Sequence, residues 1–243
     1  MDAMSTARTV TVLAALGAVI LLFAGCATAI PEPASTGGGT AGPGAGAAAD
    51  FDVDAAWLDG GRMIAVVTSG SSTCVPTASE ATLQADGSIA VTLEDPPADT
   101  ACTRDYVPRA TGVSLPSGVA PGAAIDIVVT YGEFRDDTDL EYYDGGPVEE
   151  YTPSAGWIDG GEFAILTWGS SSCKPTIESV TADSASAVTV TFADFPAGKV
   201  CTADMGPRVV LATTPDATDD ATQVTLTGGG EFATPVTVPI VGS

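Results

Sequence analysis

Trp57-Leu-Asp-Gly-Gly61, Gly70-Ser-Ser-Thr-Cys74-Val-Pro-Thr77 and Cys102-Thr-Arg-Asp105-Tyr-Val-Pro-Arg109 occur in that order in the first half of the chain. The second half repeats them as Trp157-Ile-Asp-Gly-Gly161, Gly169-Ser-Ser-Ser-Cys173-Lys-Pro-Thr176 and Cys201-Thr-Ala-Asp204-Met-Gly-Pro-Arg208. The offset is 100 residues at the tryptophan, 99 at the cysteines and 98 at Glu133-Phe134 and Glu231-Phe232. One small fold is therefore written twice, with single-residue insertions absorbed in turns.

Outward from these motifs run short stretches rich in Val, Thr, Ile and Ala. Strands are predicted over 63–68, 81–84, 89–94, 111–115 and 125–131 in the first copy. The second copy predicts them over 163–168, 177–182, 187–192, 209–213, 223–227 and 235–241. Val91 and Leu93 alternate with Thr92, and Val188, Val190 and Phe192 with Thr189 and Thr191, the period of a half-buried strand. Asp59-Gly60-Gly61 and Asp159-Gly160-Gly161 offer positive-φ turn positions just before the first strong strand of each copy. No window carries a capped helical stripe. The expected fold is all-β: two tandem small β-sandwich domains, immunoglobulin-like in architecture, with one disulfide each. The expected domains are 51–134 and 157–243, separated by an acidic linker over 135–156.

With 243 residues, 31 acidic and 8 basic side chains, the formal charge is −23. Such a chain repels phosphate backbones, which points away from nucleic acid as a partner. There is no histidine, which removes Ser-His-Asp and Cys-His catalysis, imidazole metal ligands and the usual neutral-pH proton shuttle.

The N-terminus reads as an export signal: Arg8, an apolar run from Val10 to Phe23, then Ala24-Gly25-Cys26. Small residues directly before a cysteine resemble the lipobox of bacterial lipoproteins, with Phe23 where an aliphatic residue is usual. The resemblance covers residues 1–26. It implies removal of a signal peptide over 1–25, diacylation of Cys26 (the class that carries palmitate) and anchoring at the outer face of the cytoplasmic membrane. Residues 26–50, almost all Gly, Ala, Pro, Ser and Thr, then read as a flexible tether. Lipidating Cys26 leaves four cysteines in two equally spaced couples, Cys74 with Cys102 and Cys173 with Cys201. In an exported protein these are expected as one disulfide per copy.

Candidate site residues sort by whether both copies have them. Asp95 and Asp194, Asp105 and Asp204, and Arg109 and Arg208 recur, which favours structural work such as ion pairs from Asp105 to Arg109 and from Asp204 to Arg208. Ser171-Ser172-Cys173-Lys174 matches an SxxK pattern but has no companion motifs, and Val75 replaces Lys174 in the other copy. Trp168, opposite Ser69, is expected to pack on the disulfide or to offer a stacking face to a sugar; Trp168 and Lys174 are the speculative binding residues. Lys199 is also unshared. Asp136, Asp137, Asp139, Glu141 and Asp144 are dense enough to suggest calcium but lack the EF-hand order, so a solvated linker is the first reading. No cofactor and no catalytic residue is assigned.

The resulting expectation is a lipid-anchored extracytoplasmic binding or structural protein of the cell envelope. Its partners would be the membrane, through Cys26, and an envelope protein or glycan. A carboxylate-based glycan hydrolase and a secreted protease inhibitor are the alternatives.

Overall fold

The computed structural model describes residues 51–214 and 222–242, so the signal, Cys26 and the tether lie outside the described residues. In the first copy β1 (Asp54–Leu58) and β2 (Met63–Gly70) form a hairpin. Its turn holds Asp59, Gly60 and Gly61 at φ 51, 66 and 81°. The Asp-Gly-Gly motif supplies the only residues that enter that region at little cost. Then follow β3 (Thr77–Ala78), β4 (Thr82–Leu83), β5 (Ile89–Glu94), β6 (Val107–Ser114), β7 (Ile125–Tyr131) and β8 (Phe134–Leu140). They make two sheets. One is ordered β1-β2-β6; in the other, β3 and β4 pair with opposite ends of one edge of β5, whose other edge runs parallel to β7, itself antiparallel to β8.

The second copy repeats the scheme with β9 (Ser154–Trp157), β10 (Glu162–Gly169), β11 (Ile177–Ser184), β12 (Ala187–Phe192), β13 (Gly206–Thr213), β14 (Gln223–Gly228) and β15 (Phe232–Val241). Here the two sheets join into one, ordered β11-β12-β14-β15-β9-β10-β13. The join is a short parallel ladder between β15 and β9, pairing Ile240 with Ala155 and Val241 with Gly156. In the first copy β8 and β1 are neighbours without a ladder. Trp57 stands there instead, its indole Nε1 donating to the Glu141 carbonyl at 2.7 Å.

The chain is all-β among the described residues and has one disulfide per copy, Cys74–Cys102 and Cys173–Cys201. These bonds place its folding in an oxidising, extracytoplasmic compartment. The sheets do not separate into two free-standing sandwiches. One apolar cluster lies within each copy, around Ile64, Val66, Ile89 and Ile127 in the first and Phe163, Ile165, Val190 and Leu226 in the second. A third cluster joins Ala56, Leu58, Met63 and Ala65 to Ala164 and Leu166. Strands β2 and β10 are thus buried on both faces. That explains why 63–68 and 163–168 are continuous apolar runs rather than alternating ones. All described residues belong to one compact unit. The backs of the two copies approach so closely that a Cβ at Gly156 would overlap the Trp57 carbonyl oxygen.

The acidic stretch 135–156 is not a spacer along its length. Residues 134–140 are β8, antiparallel to β7, and Ser154 opens β9. Between them Tyr143 packs edge-on against Trp57 with ring centroids 5.9 Å apart. The C-terminal strand β15 completes the second sheet, and Gly242 N beyond it reaches back to Asp144 Oδ1 at 3.2 Å.

Candidate functional site

The recurring Ser, Thr and Asp residues build a clasp between the half-cystine loops. Ser71 and Thr103 hydroxyls share a hydrogen bond of 2.8 Å, Thr103 N donates to Thr73 Oγ1 at 3.0 Å, and Ser72 N donates to Asp105 Oδ1 at 3.2 Å. The second copy repeats all three: Ser170 with Thr202 at 2.8 Å, Thr202 N to Ser172 Oγ at 3.0 Å, and Ser171 N to Asp204 Oδ2 at 3.2 Å. Hydrogen bonds from Ser72 and Thr103 pull Asp105 down to about 2, and those from Thr202 and Ser171 do the same to Asp204. Neither aspartate pairs with the arginine four residues on. The expected Asp105–Arg109 and Asp204–Arg208 ion pairs do not form, because the carboxylates are turned to backbone and hydroxyl donors.

Arg109 and Arg208 instead run inward across Gly70 and Gly169, where a Cβ would collide with the guanidinium. Each caps the carbonyl of its half-cystine, Arg109 Nη1 to Cys74 at 2.5 Å and Arg208 Nη1 to Cys173 at 2.9 Å. Beyond that they differ. Arg208 forms a bidentate pair with Glu231 at 2.9 and 2.7 Å and also donates to the Trp168 carbonyl at 3.0 Å. Arg109 donates to the Tyr131 hydroxyl at 3.3 Å, and that hydroxyl donates to Asp95. Burial, then the bond to Asp95, raises the Tyr131 phenol, keeping it a protonated donor. The exchange follows from the hairpins: Tyr131-Gly132-Glu133 in one copy, Gly228-Gly229-Gly230-Glu231 in the other. A side chain at Gly228 would strike the Phe192 carbonyl 2.5 Å away, so no tyrosine fits there and the longer turn delivers Glu231. Glu133 stays exposed, as does Asp194, the counterpart of Asp95.

The acidic candidates do not converge. Along β8, Asp137 and Asp139 lie on the exposed face and Asp136 on the other. Asp144 accepts from Gly242 N, and only the main-chain carbonyl of Glu141 is engaged. Among the described residues no group of three or more acidic or cysteine side chains is placed to hold a metal ion. Trp168 packs edge-on against Tyr151 at 5.3 Å and on the cluster between the copies, and its Nε1 donates to the Thr152 carbonyl at 3.1 Å. Lys174 is exposed, and Lys199 lies over the Phe195 ring at 5.8 Å.

Trp168 thereby fastens one wall of a groove that sequence reasoning missed. This groove, of about 460 Å³, lies where the β1–β2 turn, the 143–155 segment and strand β15 meet. Val148, Pro147, Pro153, Val236, Val238 and Val241 are among its apolar lining residues. Polar groups lie at its margins: Asp59, held by Arg62 at 2.6 and 2.9 Å, and Ser154, whose hydroxyl accepts from Asp59 N at 2.8 Å. Most of the wall belongs to residues that the duplicated motifs do not include. The available signal was the Tyr143-to-Pro153 stretch, in which apolar residues interrupt an otherwise acidic run.

Compared with family models, with characterised proteins and with solved structures, the chain matches none. No helix among the described residues is long and apolar enough to cross a membrane.

Proposed function

We propose that this protein is a lipid-anchored, extracytoplasmic binding protein of the bacterial cell envelope. In this reading the two copies are immunoglobulin-like β-sandwiches joined back to back, Cys26 carries the lipid, and residues 27–50 hold the folded part off the membrane. The observation that carries the reading is the junction groove, a concave apolar site built mostly from residues outside the duplicated motifs. Its valine and proline walls suit a neutral, apolar moiety. The formal charge of −23 disfavours an anionic one.

Titration with a neutral environment-sensitive fluorophore, N-phenyl-1-naphthylamine, tests the groove. Saturable binding is expected, weakened about tenfold or more by Val148→Glu, which places a charge on the wall outside the core clusters. Equal binding by the variant, or none by the native chain, would sink the proposal. Mass spectrometry of the membrane fraction tests the anchor: diacylglycerol on Cys26 is expected, and a soluble chain cleaved elsewhere would refute it.

A further inference from the structure

The two arginine sites are the same site built twice, and among the described residues only one has its charge paired with a carboxylate. At Arg208, 2 % exposed, the Nη groups meet two carbonyls and both oxygens of Glu231, so that every Nη–H has an acceptor. Arg109 is 8 % exposed and has two acceptors, the Cys74 carbonyl and the Tyr131 hydroxyl. The Nε of both arginines is without a partner, but Arg109 also leaves one N–H of each Nη without an acceptor, and no carboxylate lies within ion-pair distance of it among the described residues. A buried guanidinium left with free donors is costly and calls for an acceptor.

Arg109 also lines a cavity of about 340 Å³, with Ser71, Thr100, Asp95, Pro96, Pro97 and the Cys74–Cys102 disulfide. Asp95 stands two hydrogen bonds from Arg109 across the Tyr131 hydroxyl, beyond ion-pair distance and roughly 4–5.5 Å away at a bent hydroxyl. A cation and an anion at that separation in one cavity match a ligand that carries the opposite charges side by side. We infer that this cavity binds a free zwitterionic α-amino acid. The ligand carboxylate accepts from the Nη–H groups that the Cys74 carbonyl and the Tyr131 hydroxyl leave free, and its ammonium faces Asp95. A simple anion meets Asp95 and the negative charge of the whole chain; a simple amine meets Arg109. Only the zwitterion satisfies both. The site is separate from the junction groove and does not depend on it.

Calorimetric titration of the full chain with alanine, acetate and methylammonium tests this. Alanine is expected to bind saturably, and acetate and methylammonium at least about tenfold more weakly. Asp95→Asn should weaken alanine about tenfold or more while leaving acetate unchanged or tighter. Asp194→Asn, at the exposed counterpart of Asp95 in the other copy, removes the same charge and should hold alanine within about threefold, which separates the local charge at Asp95 from net charge. Val148→Glu, in the groove, should leave alanine binding intact. No saturable binding of alanine, acetate binding as tightly as alanine, or Asp95→Asn binding alanine like the native chain would each overturn the assignment.

Discussion

Arg109 and Arg208 occupy equivalent places, cross equivalent glycines and cap equivalent half-cystine carbonyls, yet one is neutralised by Glu231 and the other is not. A single residue of hairpin length separates them. The comparison shows how a duplicated fold divides its work. What both copies keep holds each fold together; where they differ, a buried charge is left without a carboxylate and an apolar groove wall is left open.

The shared parts should fail alike and most severely. Replacing both cysteines of either disulfide by alanine releases a loop spanning 28 residues and should cost about 3 kcal/mol in each copy, read by urea unfolding. A difference well above 1 kcal/mol between the copies would show that the two loops are not equivalent. The unshared partner comes next. Glu231→Ala leaves Arg208 buried without its carboxylate and should cost about 2–3 kcal/mol, reduced from a fully buried pair because Glu231 is 34 % exposed. The equivalent Glu133→Ala, at an exposed turn, should change stability by less than about 0.5 kcal/mol. Equal costs would erase the distinction between the sites.

The contact between the copies makes a third test. Gly156→Ala forces a methyl group onto the Trp57 carbonyl and should cost about 1–3 kcal/mol as overpacking, although Ala56 is tolerated at the equivalent position. A neutral result would mean that the backs of the copies separate easily.

The smallest effect is on pH dependence, and it has two signs. Asp105 and Asp204 are held low, so their contribution is present above the ordinary aspartate range near 3.9 and fades as pH falls towards about 2. Asp54 and Glu162 are held high, by burial and then by neighbouring carboxylates, Asp159 first for Asp54 and Asp54 for Glu162. Their ionised forms destabilise the folded chain at neutral pH, and acidification through their raised values relieves this. Asp54→Asn should therefore stabilise the protein at pH 7 and do nothing at acidic pH where Asp54 is already protonated. Asp105→Asn should destabilise at pH 7, with the loss shrinking as pH falls. Identical profiles for the two variants would contradict the assignment.

Much of this was readable in the chain. Strands 89–94, 125–131 and 187–192 have the bounds their alternation suggests, because one face of each is core and the other is not. Strands β1 and β9 were not legible: Ala56 and Gly156 face the other copy, Ala55 and Ala155 face their own copy's core, and such small residues carry little pattern. Strand β8 hid behind its aspartates, although Phe134, Asp136, Thr138 and Leu140 share the less exposed face, an alternation masked by charge. At the arginines, the duplicated Arg was plain but its partner was not. Glu133 and Glu231 align, yet the extra glycine in one hairpin sends only Glu231 to the guanidinium. The groove was illegible for a related reason, since its walls come from segments far apart in sequence.

The most direct test of the division between copies is the arginine side-chain NMR spectrum, recorded with and without alanine. The account expects the Arg109 guanidinium signals to move on titration while those of Arg208, already closed by Glu231, stay in place. Both arginines shifting together, or neither, would contradict it.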